Sequence, residues 1–225
     1  MHAGSVRPEH TEEKPSLVSR LGTLATSTLQ SFQPLKGFHQ HLVSIHSYVG
    51  APHRQVLAHH FCAHLGQDVR QCIIFDANRP DARIIGVEYF ITPAQFDALP
   101  PEEQPFWHSH QHEVCSGLLA MPGPVPDALE LAEMRKLLPT FGKTWHFWQT
   151  DRGDPLPYGP PKLMASITPS TPVNTQLADT LDREVGGPGI KDRLAQRRKK
   201  GLAMDPSALR ATADTFTNYH EARIG

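Results

Sequence analysis

The sequence FWHSHQHEVCSG, residues 106–117, decides how the rest of the chain is interpreted. It places three histidines and a glutamate within six residues, 108–113, and then runs into an apolar segment. If this stretch is a β-strand, alternate residues face the same side. His108, His110 and His112 then share one face, and Glu113 points to the other face unless a bulge redirects it. The stretch therefore predicts a strand that presents imidazoles to one side of a sheet.

Such a strand is a candidate metal site, because imidazoles two residues apart are roughly 6–7 Å apart at the backbone and can converge on one ion. A polar strand without a ligand is the alternative. The spacing fits no standard motif. The His-x-His motif of cupin barrels needs a glycine where Glu102 stands and a glutamate further along than Glu113. The second histidine of the zinc-protease motif is also missing after His112. We therefore expect neighbouring strands to complete any site.

Segments rich in β-branched and aromatic residues surround this stretch and predict a sheet. They are residues 42–49, 69–76, 82–91, 144–149 and 162–168. The segment 53–65 precedes a glycine-containing turn, which favours a hairpin strand, and a helix is the alternative. On a helix, His60 and His64 are close enough to share an ion, whereas on a strand they lie roughly 13 Å apart.

Helical patterns and helix-capping residues lie between these strands and on both sides of them. The sequence Thr92-Pro93-Ala94-Gln95 predicts a capped helix start, and further helices are predicted at 16–32, 127–138, 173–184, 190–200 and from 205 to about 217. Residues 38–168 are therefore predicted to form an α+β domain with a largely antiparallel β-sheet or partial barrel. An N-terminal tail and amphipathic helix (1–37) and a C-terminal helical extension (169–225) flank it.

The buried carboxylate expected at Glu88 is the second element of the candidate site. Glu88 lies in an otherwise apolar strand, where it needs a cation, a metal ion or hydrogen-bond donors. Other histidines in β-rich segments, His46, His59 and His146, are each interpreted as hydrogen-bonded core residues, although together they leave many imidazoles for one pocket. The predicted ligands of a divalent zinc, iron, manganese or copper ion are His108, His110, Glu113, Glu88, His60 and His64.

The composition narrows the possible partners. A net charge of −1 gives no basic field for nucleic acid. The odd number of cysteines (Cys62, Cys72 and Cys115) favours reduced thiols in the cytoplasm. The N-terminus shows no secretory signal pattern, and the apolar runs are too short to span a bilayer. The basic run at 193–200 is interpreted as a solvated helix face, with contact to anionic lipid or a partner protein as the alternative.

Short motifs in a fixed order give a further lead. They are AHHFCAHL (58–65), DVRQC (68–72), GVEY (86–89), WHSH (107–110), GKT (142–144), HFWQ (146–149) and DRGD (151–154). With them, residues 38–168 resemble the oil body-associated protein family of plant seeds, which has fungal and bacterial relatives. The resemblance implies association with oil bodies and an influence on their size, without an assigned catalytic activity.

Two hypotheses therefore stand. The first is a metal-dependent enzyme that acts on a small-molecule substrate through the histidines and glutamates above. The second is a non-catalytic protein that binds lipid or another ligand and associates with lipid droplets by peripheral contact. Both are compatible with a cytoplasmic protein and with a homodimer. Metal content and flotation with lipid distinguish them.

Overall fold

The computed structural model describes residues 16–205. Its strands are β1 (Gln40–Tyr48), β2 (Ala51–His64), β3 (Val69–Phe75), β4 (Ile84–Ile91), β5 (His108–Ser109), β6 (Phe141–His146) and β7 (Lys162–Ser166). Its helices are α1 (Leu17–Leu29), α2 (Gln33–Lys36), α3 (Pro93–Asp97), α4 (Gln111–Ser116), α5 (Asp127–Leu137), α6 (Thr175–Val185) and α7 (Ile190–Lys199). The predicted tail at 1–15 and the predicted helix from 205 lie outside the described residues, apart from residue 205 itself.

Six strands close into an antiparallel barrel. Their order is β4-β3-β2-β1-β7-β6, and β6 pairs back with β4 to complete the ring. The short strand β5 pairs with the first two residues of β6. The α+β prediction with a largely antiparallel sheet is confirmed. The proposed division into three segments stays a prediction.

The segment that sequence reasoning left between strand and helix is the long strand β2. It pairs with β1 on one side and with β3 on the other, so its backbone groups are satisfied along most of its length. Because residues alternate along a strand, His60 faces the barrel interior and its neighbour His59 faces outward, beneath α6.

Helices cover the barrel from two sides. Leu181 and Val185 of α6 pack against Val43 and Ile45 of β1. Helices α4 and α5 and the residues after α7 contribute a second apolar cluster with the strands, which includes the fully buried Met134. The capped start of α3 is confirmed, since the Thr92 hydroxyl accepts a hydrogen bond from the backbone of Gln95.

The strand predicted over residues 106–121 is wrong beyond Ser109. The chain pairs with β6 only at His108 and Ser109, and it turns at His110 into helix α4. Gly117 ends this helix with a φ of 84°, a conformation that favours glycine. The helical turn changes the directions of the side chains: Glu113 lies on the same side as His110, and half-buried His112 points elsewhere.

The expectation of reduced thiols is wrong for two of the three cysteines. Cys62 and Cys72 stand directly opposite each other on β2 and β3 and form a disulfide, with their Cα atoms 4.1 Å apart. Cys115 is free and buried on α4. The pairing follows from strand register, which the count of cysteines does not reveal.

The basic run is also more than a solvated face. Arg198, Lys199 and Lys200 are exposed, but Arg193 and Arg197 are 2% and 4% exposed. Arg193 donates to the Gly117 carbonyl, and Arg197 donates to the Val114 carbonyl at 2.6 Å. These guanidinium groups satisfy carbonyls at the end of α4 and so fix the segment that follows His110.

Candidate metal centre

Polar residues fill the middle of the barrel, where an apolar core is usual. Strand alternation places every second residue of a strand on the inner face. The buried polar side chains of the interior are Ser44, His46, His60, Glu88, Thr144, His146 and Ser166, and β5 and α4 add His108, His110 and Glu113.

Glu88 of β4 is the centre of this group and is 1% exposed. Its Oε2 lies 2.9 Å from His60 Nε2 and 3.9 Å from His46 Nε2. Its Oε1 lies 3.3 Å from the Nε2 atoms of both His108 and His110. Each carboxylate oxygen therefore faces its own pair of imidazoles. With Glu88, each pair forms a three-donor group whose ligand atoms all lie within 4.8 Å of one another.

The room for this arrangement comes from Gly142 on β6. A Cβ atom at this position would collide with Glu88 Oε1 and would lie 2.7 Å from His110 Nε2 and 2.9 Å from His108 Cε1. Any larger residue would displace the donors. The first residue of the GKT motif at 142–144 must therefore be glycine to leave room for the donors.

Hydrogen bonds hold several of these side chains from behind. His110 Nδ1 lies 2.8 Å from the Thr140 hydroxyl. Glu113 accepts a hydrogen bond from Ser44 Oγ at 2.6 Å, and its other oxygen lies 3.8 Å from His110 Nε2. His46 Nδ1 lies 3.1 Å from His146 Nε2. Such contacts orient imidazoles and carboxylates toward a common centre.

The cluster lowers the pKa of its central carboxyl group and of two of its histidines. Burial alone would raise the pKa of Glu88, but the contacts with His108, His110 and His60 outweigh it and hold the pKa well below its usual range. Burial, reinforced by His60, lowers the pKa of His46 well below its usual value. Burial also lowers the pKa of His146 to about 3.

The predicted ligands are brought together with one clear exception. Glu88 contacts His108 and His110 through one carboxylate oxygen and His60 through the other, and Glu113 lies 3.8 Å from His110. His64 lies elsewhere: it is exposed, and its Nδ1 is 2.9 Å from His39 Nε2.

Sequence reasoning placed His46 and His146 in the ordinary core, although the structure puts both beside Glu88 or its partners. His46 alternates with Ser44 on β1, and this period-two polar pattern was the available signal. His59, also interpreted as a hydrogen-bonded core residue, is fully buried on the outer face of β2, where its Nε2 is 2.7 Å from Glu184 of α6.

Comparison with known proteins identifies the family of the chain. A family model described as a protein of unknown function, DUF1264, matches residues 32–200. Oil body-associated protein 1A of Zea mays is 48% identical over 169 residues, which cover 75% of this chain and 71% of that protein. Oil body-associated protein 1B of Arabidopsis thaliana is 44% identical over 158 residues, 68% of this chain and 65% of that protein.

Oil body-associated protein 2B of Zea mays is 42% identical over 170 residues, which cover 76% of this chain and 68% of that protein. No solved structure matches the chain. The aligned region contains the whole barrel and every residue around Glu88. The chain belongs to the oil body-associated protein family.

Proposed function

We propose that this chain is a peripheral protein of oil-body or lipid-droplet surfaces and that helix α1 makes the lipid contact. The names of its relatives carry the first half of the proposal. The second half depends on α1, which lies before the region that the family model matches. The barrel would then be the shared unit, and α1 the means of attachment in this chain.

Helix α1 exposes large apolar side chains. Leu17, Val18, Leu24 and Leu29 are 72%, 79%, 62% and 85% exposed. At 100° per residue, Leu17 and Leu24 lie almost in line, and Val18 and Leu29 lie about 100–120° around the helix. Phe32 and Leu35 continue the exposed apolar surface after the helix. An exposed apolar surface of this kind marks a contact site for lipid or protein.

Between these apolar residues, α1 carries several hydroxyl groups and little charge. The hydroxyls of Thr23, Thr26 and Ser27 bond back to carbonyls of the helix itself. Arg20 is the only charged residue of the helix. Binding would therefore come from burial of apolar area in a lipid surface and only weakly from attraction to anionic headgroups. Among residues 16–205, no helix is long and apolar enough to cross a bilayer.

The test is flotation with triacylglycerol droplets coated by a phospholipid monolayer. We expect the full chain to float, and 0.5 M salt to change the bound fraction little, because the contact is apolar. The triple variant Leu17→Ser, Leu24→Ser and Leu29→Ser should bind at least about tenfold more weakly, since full burial of one leucine contributes roughly 1.5–3 kcal/mol. Serine substitutions of the exposed Leu65, Leu129 and Leu156 are the matched control. Equal flotation of both triple variants would remove α1 from the proposal.

A metal-dependent enzyme is the second candidate function, and the buried cluster around Glu88 is the observation that favours it. A cavity of about 570 Å³ lies at the end of the β1–β2 hairpin, and its wall includes Ser166, the direct strand partner of His46. The test compares metal-loaded wild type with Glu88→Gln for consumption of compounds from a polar metabolite mixture, followed by mass spectrometry. Equal profiles would argue against an enzyme.

A further inference from the structure

The position of a proton in the barrel interior points to a specific ligand. Thr140 Oγ1 donates its hydrogen to the Leu137 carbonyl at 2.7 Å. The same oxygen lies 2.8 Å from His110 Nδ1, so it can only accept there, and His110 must carry its proton on Nδ1. The backbone N–H of His110 is also fixed, by a hydrogen bond to the Thr140 carbonyl at 3.2 Å.

In neutral His110, Nε2 therefore presents a lone pair to Glu88. The facing atom, Oε1, is a carboxylate oxygen 3.3 Å away, and it too is an acceptor. Two acceptors do not attract each other unless a positive charge lies between them or beside them. A metal ion between the two atoms would accept both lone pairs.

The distances fit an ion. Two donors that are each about 2.0–2.1 Å from one metal ion lie about 2.9 Å apart at a right angle and about 3.4 Å apart at the tetrahedral angle. His108 Nε2 and His110 Nε2 are both 3.3 Å from Glu88 Oε1, as such a geometry requires. Glu113 Oε1 lies 3.8 Å from His110 Nε2 but outside the three-donor group, so its side chain would have to shift toward the ion to become the fourth donor. Ser44 holds its other oxygen.

The two oxygens of Glu88 are not equivalent. On the Oε2 side, His60 Nε2 lies at 2.9 Å and can donate an ordinary hydrogen bond, because Nδ1 of His60 has no hydrogen-bond partner among residues 16–205 and need not carry the proton. On the Oε1 side, the Thr140 contact prevents the equivalent arrangement for His110. His60 is thus suited to hold the carboxylate, and His110 is suited to bind a cation.

We propose that the barrel binds one divalent transition-metal ion on the Oε1 side of Glu88, with His108, His110 and Glu88 as ligands and Glu113 as the fourth. Imidazole and carboxylate donors select zinc, cobalt, iron or manganese over magnesium and calcium. One divalent ion would also neutralise the two buried carboxylates, Glu88 and Glu113, which are 1% and 2% exposed. Thr140 and Ser44 are positioning residues, and His60 orients Glu88. This inference is independent of the lipid proposal.

The experiment titrates the metal-free full chain with Co²⁺ and Zn²⁺. We expect one ion per chain, visible Co²⁺ absorption bands of a site with nitrogen and oxygen ligands, displacement of Co²⁺ by Zn²⁺, and no displacement by millimolar Mg²⁺. His110→Gln and Glu88→Gln should each weaken binding at least about 100-fold. His60→Gln, whose amide can still donate to Oε2, should change affinity less than about tenfold. His64→Ala is the surface control and should leave binding unchanged.

Positioning by Thr140 has its own readout. Thr140→Val should weaken binding about 10–100-fold and shift the Co²⁺ bands, and Thr140→Ser should restore both. If Glu88→Gln fails to fold by near-UV circular dichroism, His110→Gln decides the question. Absence of a stoichiometric ion would overturn the site. Equal losses in His60→Gln and His110→Gln would overturn its assignment to the Oε1 side. Flotation with lipid droplets is measured separately from metal binding and tests only the proposed lipid contact of α1.

Discussion

The barrel interior and helix α1 depart from the usual partition of residues in opposite directions. The interior gathers carboxylate and imidazole groups that are almost completely excluded from water, with Glu88, His60 and His110 at 0–1% exposure. Helix α1 leaves leucines up to 85% exposed. Single exposed leucines are ordinary, but a buried charged cluster and a concentrated apolar surface each need a compensating partner.

The difference teaches which partner each region lacks. The interior has an excess of acceptors, since Thr140 takes the donor of His110 that Glu88 would otherwise use. A cation is the natural complement. Helix α1 has exposed apolar area and one charged residue, so a lipid surface is the partner that would complement it. The two requirements are separate in space and chemistry, and variants in one region should therefore leave the other function unchanged.

The largest expected effect on stability follows from removal of the Glu88 carboxylate at the centre of the cluster. Glu88→Ala should lower the free energy of unfolding by about 3–5 kcal/mol, because His60 Nε2 loses its buried acceptor at 2.9 Å and the truncated side chain leaves a cavity among the imidazoles. Urea unfolding in the presence of a chelator measures it. Glu102→Ala, at an exposed position, is the control. A loss below about 1 kcal/mol would show that the stability of the cluster does not depend on Glu88. The barrel interior would then not differ from α1 in its contribution to stability.

A smaller effect is expected at the arginines that hold α4 in place. Arg197→Ala should cost about 2–3 kcal/mol, since it leaves the Val114 carbonyl and Glu130 without their guanidinium partner. The adjacent Arg198→Ala is a matched control on the exposed side of α7 and should cost less than about 0.5 kcal/mol. Guanidinium chloride unfolding of both variants gives the comparison. Similar losses of stability in the two variants would show that the whole basic run is a solvated helix face.

The glycine beside the cluster comes next. Gly142→Ala should destabilise the chain by about 1–3 kcal/mol, because the added methyl group occupies the space of Glu88 Oε1. Gly66→Ala is the control, since nothing lies within 4 Å of a Cβ atom there. Thermal unfolding compares the two. If Gly142→Ala is as stable as wild type, the interior is roomier than the distances indicate.

The sequence predicted the sheet well because strand periodicity is a local property. Residues 82–91 and the segment ending at His64 alternate or continue as β-rich runs, and both are strands. The stretch after Ser109 failed because its helix is fixed by distant groups. Arg193 and Arg197, about 80 residues further along, satisfy the carbonyls of α4. A local pattern carries no information about that contact.

The candidate site was predictable only in part for the same reason. His108 and His110 stand out as closely spaced histidines, and Glu88 stands out as a carboxylate in an apolar strand, so the sequence identified them. His46 and Thr140 act through register and through a hydrogen bond across the fold, neither of which the sequence displays. Cys62 and Cys72 show the same limit, because strand pairing rather than their number decides that they bond.

The smallest expected effect on stability belongs to α1. Leu24→Ser and Leu29→Ser should each change the free energy of unfolding by less than about 0.5 kcal/mol, because side chains that are 62% and 85% exposed lose little packing. The same substitutions should weaken droplet binding, so stability and binding separate at these positions. Leu181→Ser on α6, at 0% exposure, is the opposite control: it should destabilise the fold strongly. If the α1 variants unfold as readily as Leu181→Ser, the leucines pack within the protein, and α1 loses the exposed surface on which its lipid contact depends.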